Sequence, residues 1–154
     1  MPTRADYKIT RTATLKVGVP GIGTGGQLIV PTVLSNIYGM DSFNTQGQES
    51  SIDFNTFDNE GTDELINNRR WQISCSAFEI NGTNPGLAII KTALKGLGDD
   101  AVVYFEFEDQ DDSGVKGFAT VKGESTPREV DAPMRISWTF GVLGKIYDLS
   151  ETIT

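Results

Sequence analysis

Apolar and polar side chains alternate along residues 70–77, with Trp71, Ile73, Cys75 and Ala77 falling on one side and Gln72, Ser74 and Ser76 on the other. A period of two is the mark of a strand with one buried face, and the change of phase at Phe78 and Ile80 predicts a bulge near Ala77. The same alternation recurs near the C-terminus, where Met134, Ile136, Trp138, Phe140 and Val142 interleave with Arg135, Ser137 and Thr139. Residues 101–108 and 115–123 read as two strands joined by the turn Asp109-Gln110-Asp111-Asp112-Ser113-Gly114, hence a hairpin. Between the first two patterns, Leu87, Ile90, Leu94 and Leu97 return at helical spacing, with Asn84 as cap, Pro85 in the first turn and Gly96 and Gly98 as terminators.

The N-terminal part is less regular. Weak alternation in residues 7–10 and 13–17 suggests a first strand or an arm. Residues 18–26 hold five glycines and one proline, which resists regular structure. Residues 27–38 are apolar and β-branched, with Pro31 where an edge position tolerates a missing donor. From 39 to 68 the chain turns polar, with Phe43, Ile52, Phe54, Phe57, Leu65 and Ile66 scattered through it. So long an excursion predicts a functional loop, and its aromatics argue for ordering against a partner.

Composition narrows the chemistry. The 154 residues fit one domain with its own core, and no apolar run is long enough to span a bilayer. No secretory signal opens the sequence, so folding in the cytosol is expected. The lone Cys75 reads as a small buried hydrophobe. Histidine is absent, which removes the commonest general base and metal ligand. A net charge of −8 argues against gripping nucleic acid.

Each candidate motif has a plainer reading beside it. Gly21-Ile22-Gly23-Thr24-Gly25-Gly26 matches a dinucleotide-binding pattern in form, but neither a preceding strand nor a following helix is evident, so a flexible loop is expected and no cofactor. The carboxylates from Asp99 to Asp112 lack the spacing of a calcium loop; a solvated acidic turn is the simpler reading, and no metal is expected. Glu106 and Glu108, on one side of a strand, could face a shared electronegative surface. The strand aromatics could stack bases, yet their alternation and the absence of a basic groove favour core.

The order of elements, and above all Gly117-Phe118-Ala119-Thr120-Val121-Lys122-Gly123 followed by Asp131-Ala132-Pro133-Met134-Arg135-Ile136-Ser137-Trp138-Thr139-Phe140-Gly141-Val142, resembles the major tail tube proteins of long-tailed bacteriophages. A second stretch, residues 51–61 ahead of the Arg70 strand, is similar to the same family, and the resemblance covers most of residues 28–146. It implies a mainly β, sandwich- or barrel-like domain over residues 1–154 with one flanking helix, an N-terminal arm at about 1–26 and a long inter-ring loop at about 39–68. It further implies six subunits closing edge to edge into rings that stack into a tube, a virion component with no enzymatic activity. Its partners are then further copies of itself, a tape measure protein and the terminator and distal tail proteins, with no membrane among them. Phage DNA passes through an electronegative lumen without specific binding. Under that implication Glu106 and Glu108 are the lumen candidates, and Phe43, Phe54 and Phe57 the ring-stacking candidates. Tube proteins of contractile secretion systems or tailocins share this architecture. A ligand- or carbohydrate-binding β-sandwich is the alternative from another class; it predicts a stable monomer with a cleft.

Overall fold

The computed structural model describes residues 13–54, 63–109 and 113–153. Its centre is the expected hairpin, β7 (Val102–Glu108) and β8 (Gly114–Ser125), flanked on one side by β1 (Thr14–Gly18) and β4 (Ser35–Ile37) and on the other by β9 (Arg135–Val142), β6 (Asp63–Phe78) and β5 (Met40–Phe54). The order β4-β1-β7-β8-β9-β6-β5 is antiparallel throughout. A short β10 (Tyr147–Asp148) pairs with the first residues of β8, continuing the edge that β9 occupies further along. A separate two-stranded unit, β2 (Gly21–Ile22) with β3 (Leu28–Ile29), stands outside this sheet.

The sheet rolls up on itself. Phe43 of β5 stacks face to face on Phe107 of β7, ring centroids 4.0 Å apart, although three strands separate the two in sheet order. Inside the roll lie Leu15, Val17, Ile73, Phe105, Trp138 and Phe140, all buried, as the period-two faces of their strands demand. The helix α1 (Pro85–Lys95) adds Leu87, Ile90 and Ala93 to the same core. Gly86 lets it sit close, since a Cβ there would lie 2.5 Å from the Asn36 carbonyl oxygen. A smaller cluster forms on the opposite face of β7 and β8, where Leu28, Leu34 and Ile153 cover Val102, Tyr104 and Phe118. The sandwich- or barrel-like class with one flanking helix is therefore what the chain adopts.

Several local expectations are corrected. Residues 39–68 are not a structureless loop over their described part: β5 and β6 form one long antiparallel hairpin, paired from Met40 with Ala77 out to Phe54 with Asp63. Its middle part, residues 44–50 and 67–70, carries polar residues and Gly47 alone, so no period-two signal marks it in the sequence. Residues 18–26 supply the first strand and the turn of a short hairpin, Gly21–Ile22 with Leu28–Ile29, and Gly25 and Gly26 adopt left-handed φ values of 77° and 80° at that turn. No helix follows, as a dinucleotide fold would need. Residues 27–38 divide into two short strands. Asn84 precedes α1 but makes no side-chain capping bond; its amide instead donates to the Tyr38 carbonyl oxygen at 2.9 Å and accepts from the Tyr38 N–H at 3.0 Å. Leu97 lies past the helix and is 88% exposed. The bulge near Ala77 falls on the facing strand, where Asp41 is the extra residue. Residues 7–10 of the expected first strand lie outside the described residues. No helix among the described residues is long and apolar enough to cross a membrane.

Candidate assembly surfaces

Three features project beyond the core. The first is the β5–β6 ribbon: β6 pairs with β9 only from Gln72 to Phe78, and its preceding residues pair with β5 alone. The ribbon's middle part pairs polar residues, with Glu49 opposite Arg69 at 3.8 Å, and Trp71 is laid over Gly47, where a Cβ would come within 3.1 Å of the ring. That ion pair is exposed and contributes well under about 1 kcal/mol, so the ribbon is held by its ladder and not by charge. The second is the pair of sheet margins, β4 and β5, each with one edge that no strand among the described residues pairs. Such edges are templates for pairing and need covering. The third is the β2–β3 hairpin with its bare apolar residues.

A polar network ties β5, β6 and β9 together at the bulge, at the end of the β6–β9 pairing away from the ribbon. Ser76, buried, donates to Asp41 Oδ1 at 2.5 Å, while Arg135 Nη2 pairs with Asp41 and donates to Ser76 Oγ at 3.2 Å. The Arg135 guanidinium also lies over the Phe78 ring, 5.5 Å from its centroid. No sequence pattern pointed to this trio, because its members are 35 and 59 residues apart and meet only through the β5–β6–β9 register.

The candidate residues are placed as follows. Glu106 and Glu108 share the outward face of β7, opposite Phe105 and Phe107. Glu106 is half-buried, accepts a 2.7 Å bond from the Tyr104 hydroxyl, and has Lys16 and Lys116 as its cross-strand neighbours; Glu108 stands between Thr14 and Gly114. The two therefore differ: Glu106 has lysines opposite it in register on both sides, and Glu108 has none. Tyr104 is buried, and burial, then its bond to Glu106 and that carboxylate's charge, push its phenol above the ordinary range. Phe43 turns inward onto Phe107 and Phe105, so its ring packs within the subunit. Phe54 ends β5 opposite Asp63 and is described by its backbone alone; Phe57 lies outside the described residues. A cleft of about 370 Å³ opens at the mouth of the roll, lined by Leu15, Phe43, Phe107 and Val115 with Asp41 and Asp109. Among the described residues, no group of three or more His, Cys, Asp or Glu side chains converges on one point.

This fold recurs in solved virus-like assemblies. A chain of the virion of a native gene transfer agent particle superposes with a TM-score of 0.65 at 11% identity, over 94% of this chain and 100% of that one. A chain from the tail of an empty gene transfer agent particle, computed with helical refinement and C6 symmetry, gives 0.58 at 13% identity over 86% and 93%. The SPP1 tail tube gives 0.65 at 12% identity, over 92% of this chain and 78% of that one. The class is thus a tail-tube fold, spread over nearly the whole chain. No family profile matches the chain, and no characterised protein matches it by sequence.

Proposed function

We propose that this chain is the tail tube subunit of a phage or phage-like particle, closing into six-membered rings that stack into a hollow conduit for DNA. The observation that carries the reading is the coverage in both directions: 94% of this chain and 100% of a virion chain share one fold, so no sizeable part of either is left to another task. The C6 symmetry of the matched gene transfer agent tail supports six subunits per ring. Two sheet margins that no described strand pairs, on one rolled domain, suit a contact in which each copy offers one surface and receives another, and a contact of that kind closes into rings. The β5–β6 ribbon, which leaves the body where β9 ends, suits contact with the next ring, and Phe54, at the end of β5, remains a stacking candidate, as does Phe57, which lies outside the described residues.

In this reading the role is structural, and the mechanism is geometry and charge. The net charge of −8 keeps DNA from adhering to the wall, with Glu108 and Glu106 assigned to the lumen. The tube's length and ends are matters for a tape measure, a terminator and distal tail proteins, which makes them the partners. Its place is the virion tail, after synthesis in the host cytoplasm.

Negative-stain electron microscopy of the purified chain over a concentration series tests this. Hollow tubes whose end-on views average with six-fold symmetry are expected. Persistent monomers would overturn it and turn attention to the cleft at the mouth of the roll, whose volume is at the low end for a small-molecule site.

A further inference from the structure

Between Lys16 and Asp41 the chain runs for 24 residues without a charged side chain. Charged residues make up 22% of the sequence, so about five would be expected in a stretch of that length. The structure turns residues 18–34 of this stretch into a tongue. Leu28 and Leu34 fasten its inner side to Tyr104 and Phe118, and Gly18 is pressed so closely that a Cβ would lie 2.8 Å from the Pro31 ring. Its outer side is bare: Val19, Ile22, Ile29, Val30 and Val33 are between 41% and 76% exposed. Exposed apolar side chains gathered on one segment are the kind of surface that marks an interaction site.

A second apolar surface surrounds Gly39. Tyr38, Phe78, Ile80 and Met134 are each more than a third exposed. They are held together by the Phe78 N–H bond to the Gly39 carbonyl at 2.8 Å and the Glu79 N–H bond to the Met134 carbonyl at 2.8 Å. The charges beside this surface are matched within the subunit, Glu79 by Lys91 and Asp41 by Arg135. It is locally neutral.

We propose that the tongue of one copy docks on the apolar surface around Gly39 of a second copy, a contact that rests on the tail-tube reading and gives its assembly a specific joint. Charge selects the occupant. Copies with a net charge of −8 repel one another, and these two surfaces are where they can approach without that cost. Nucleic acid and anionic headgroups would need cations, which the tongue lacks. The two surfaces differ, so the contact is heterologous and propagates from copy to copy.

Thiol cross-linking tests the joint. Burial pushes the native Cys75 thiol well up and keeps it silent, so introduced cysteines report alone. Ile29→Cys and Ile80→Cys copies are mixed under assembling conditions and treated with a short bismaleimide. Dimers that form in the mixture and not in either variant alone are expected. Equal dimer from Ile29→Cys alone would mean that tongue meets tongue, and no dimer in a mixture that still forms tubes would mean that the joint lies elsewhere; either overturns the proposal and leaves the tube reading standing. An unmodified chain that never assembles removes both. Ile29→Asp and Val33→Asp give a second readout: each should abolish assembly while shifting the unfolding temperature by no more than about 2 °C, as suits exposed sites.

Discussion

Replacing Phe43 with alanine separates a side chain that closes the subunit from one that joins rings. The ring is half-buried, face to face with Phe107 at 4.0 Å and tilted against Phe105 at 6.5 Å. Complete burial of such a side chain contributes about 1.5–3 kcal/mol, so half of it contributes about 1 kcal/mol. The aromatic contacts add about 0.5–1.5 kcal/mol. Phe43→Ala should therefore cost the isolated subunit about 2 kcal/mol, read in urea as a lower midpoint at unchanged slope. For a chain of this size the melting temperature should fall by about 4–8 °C. A double-mutant cycle with Phe107→Ala should return a coupling of about 1 kcal/mol, because the two rings share one contact. A loss under about 0.5 kcal/mol with no coupling, accompanied by failed tube assembly, would refute the packing argument and return Phe43 to the interface.

Three other expectations can be checked on the same material. Because the folded state raises the Tyr104 phenol, its stabilising contribution is complete below the unfolded value near pH 10 and is lost as pH rises through it; stability should fall by about 1.4 kcal/mol per unit above that point, and Tyr104→Phe should remove that part of the slope in alkaline urea titrations. Gly86→Ala should destabilise by about 1–3 kcal/mol by calorimetry despite alanine's helix preference, since its methyl would meet the Asn36 carbonyl at 2.5 Å. Tubes of Glu108→Lys should retain short DNA at low salt that unmodified tubes release; equal retention by filter binding would take Glu108 out of the lumen.

The sequence was legible where one face of an element is buried. Ile73, Cys75 and Ala77 on β6, Phe105 and Phe107 on β7, and Ile136, Trp138 and Phe140 on β9 mark their strands because alternate residues meet the core. The outer β5–β6 ribbon offered no such contrast: Gln46, Gln48, Glu49 and Ser50 face Gln72, Arg70, Arg69 and Asn68, polar against polar. Its pairing follows from the ladder continuing outward from the buried half, information that no local window holds. Asn84 misled for a related reason: a residue suited to capping spends its amide on the Tyr38 backbone, 46 positions away. Of the candidate residues, the outward face of Glu106 and Glu108 was readable from strand parity. Their contrasting neighbours were not, because Lys16 and Lys116 stand opposite Glu106 only through the β1–β7–β8 register.

The departure of β6 from β9 at Gln72 makes the ribbon a lever. Its nine residues from Asp63 to Trp71, at about 3.3 Å each, give an arm of roughly 30 Å, so a tilt of about five degrees at its root moves the tip by roughly 2.5 Å. The clamp of Asp41, Ser76 and Arg135 anchors the same strands behind the fulcrum, at the far end of the β6–β9 pairing. Reach and foundation are thus separable quantities: lengthening or shortening the arm by matched pairs of residues changes where the tip lands and leaves the packed body as it was.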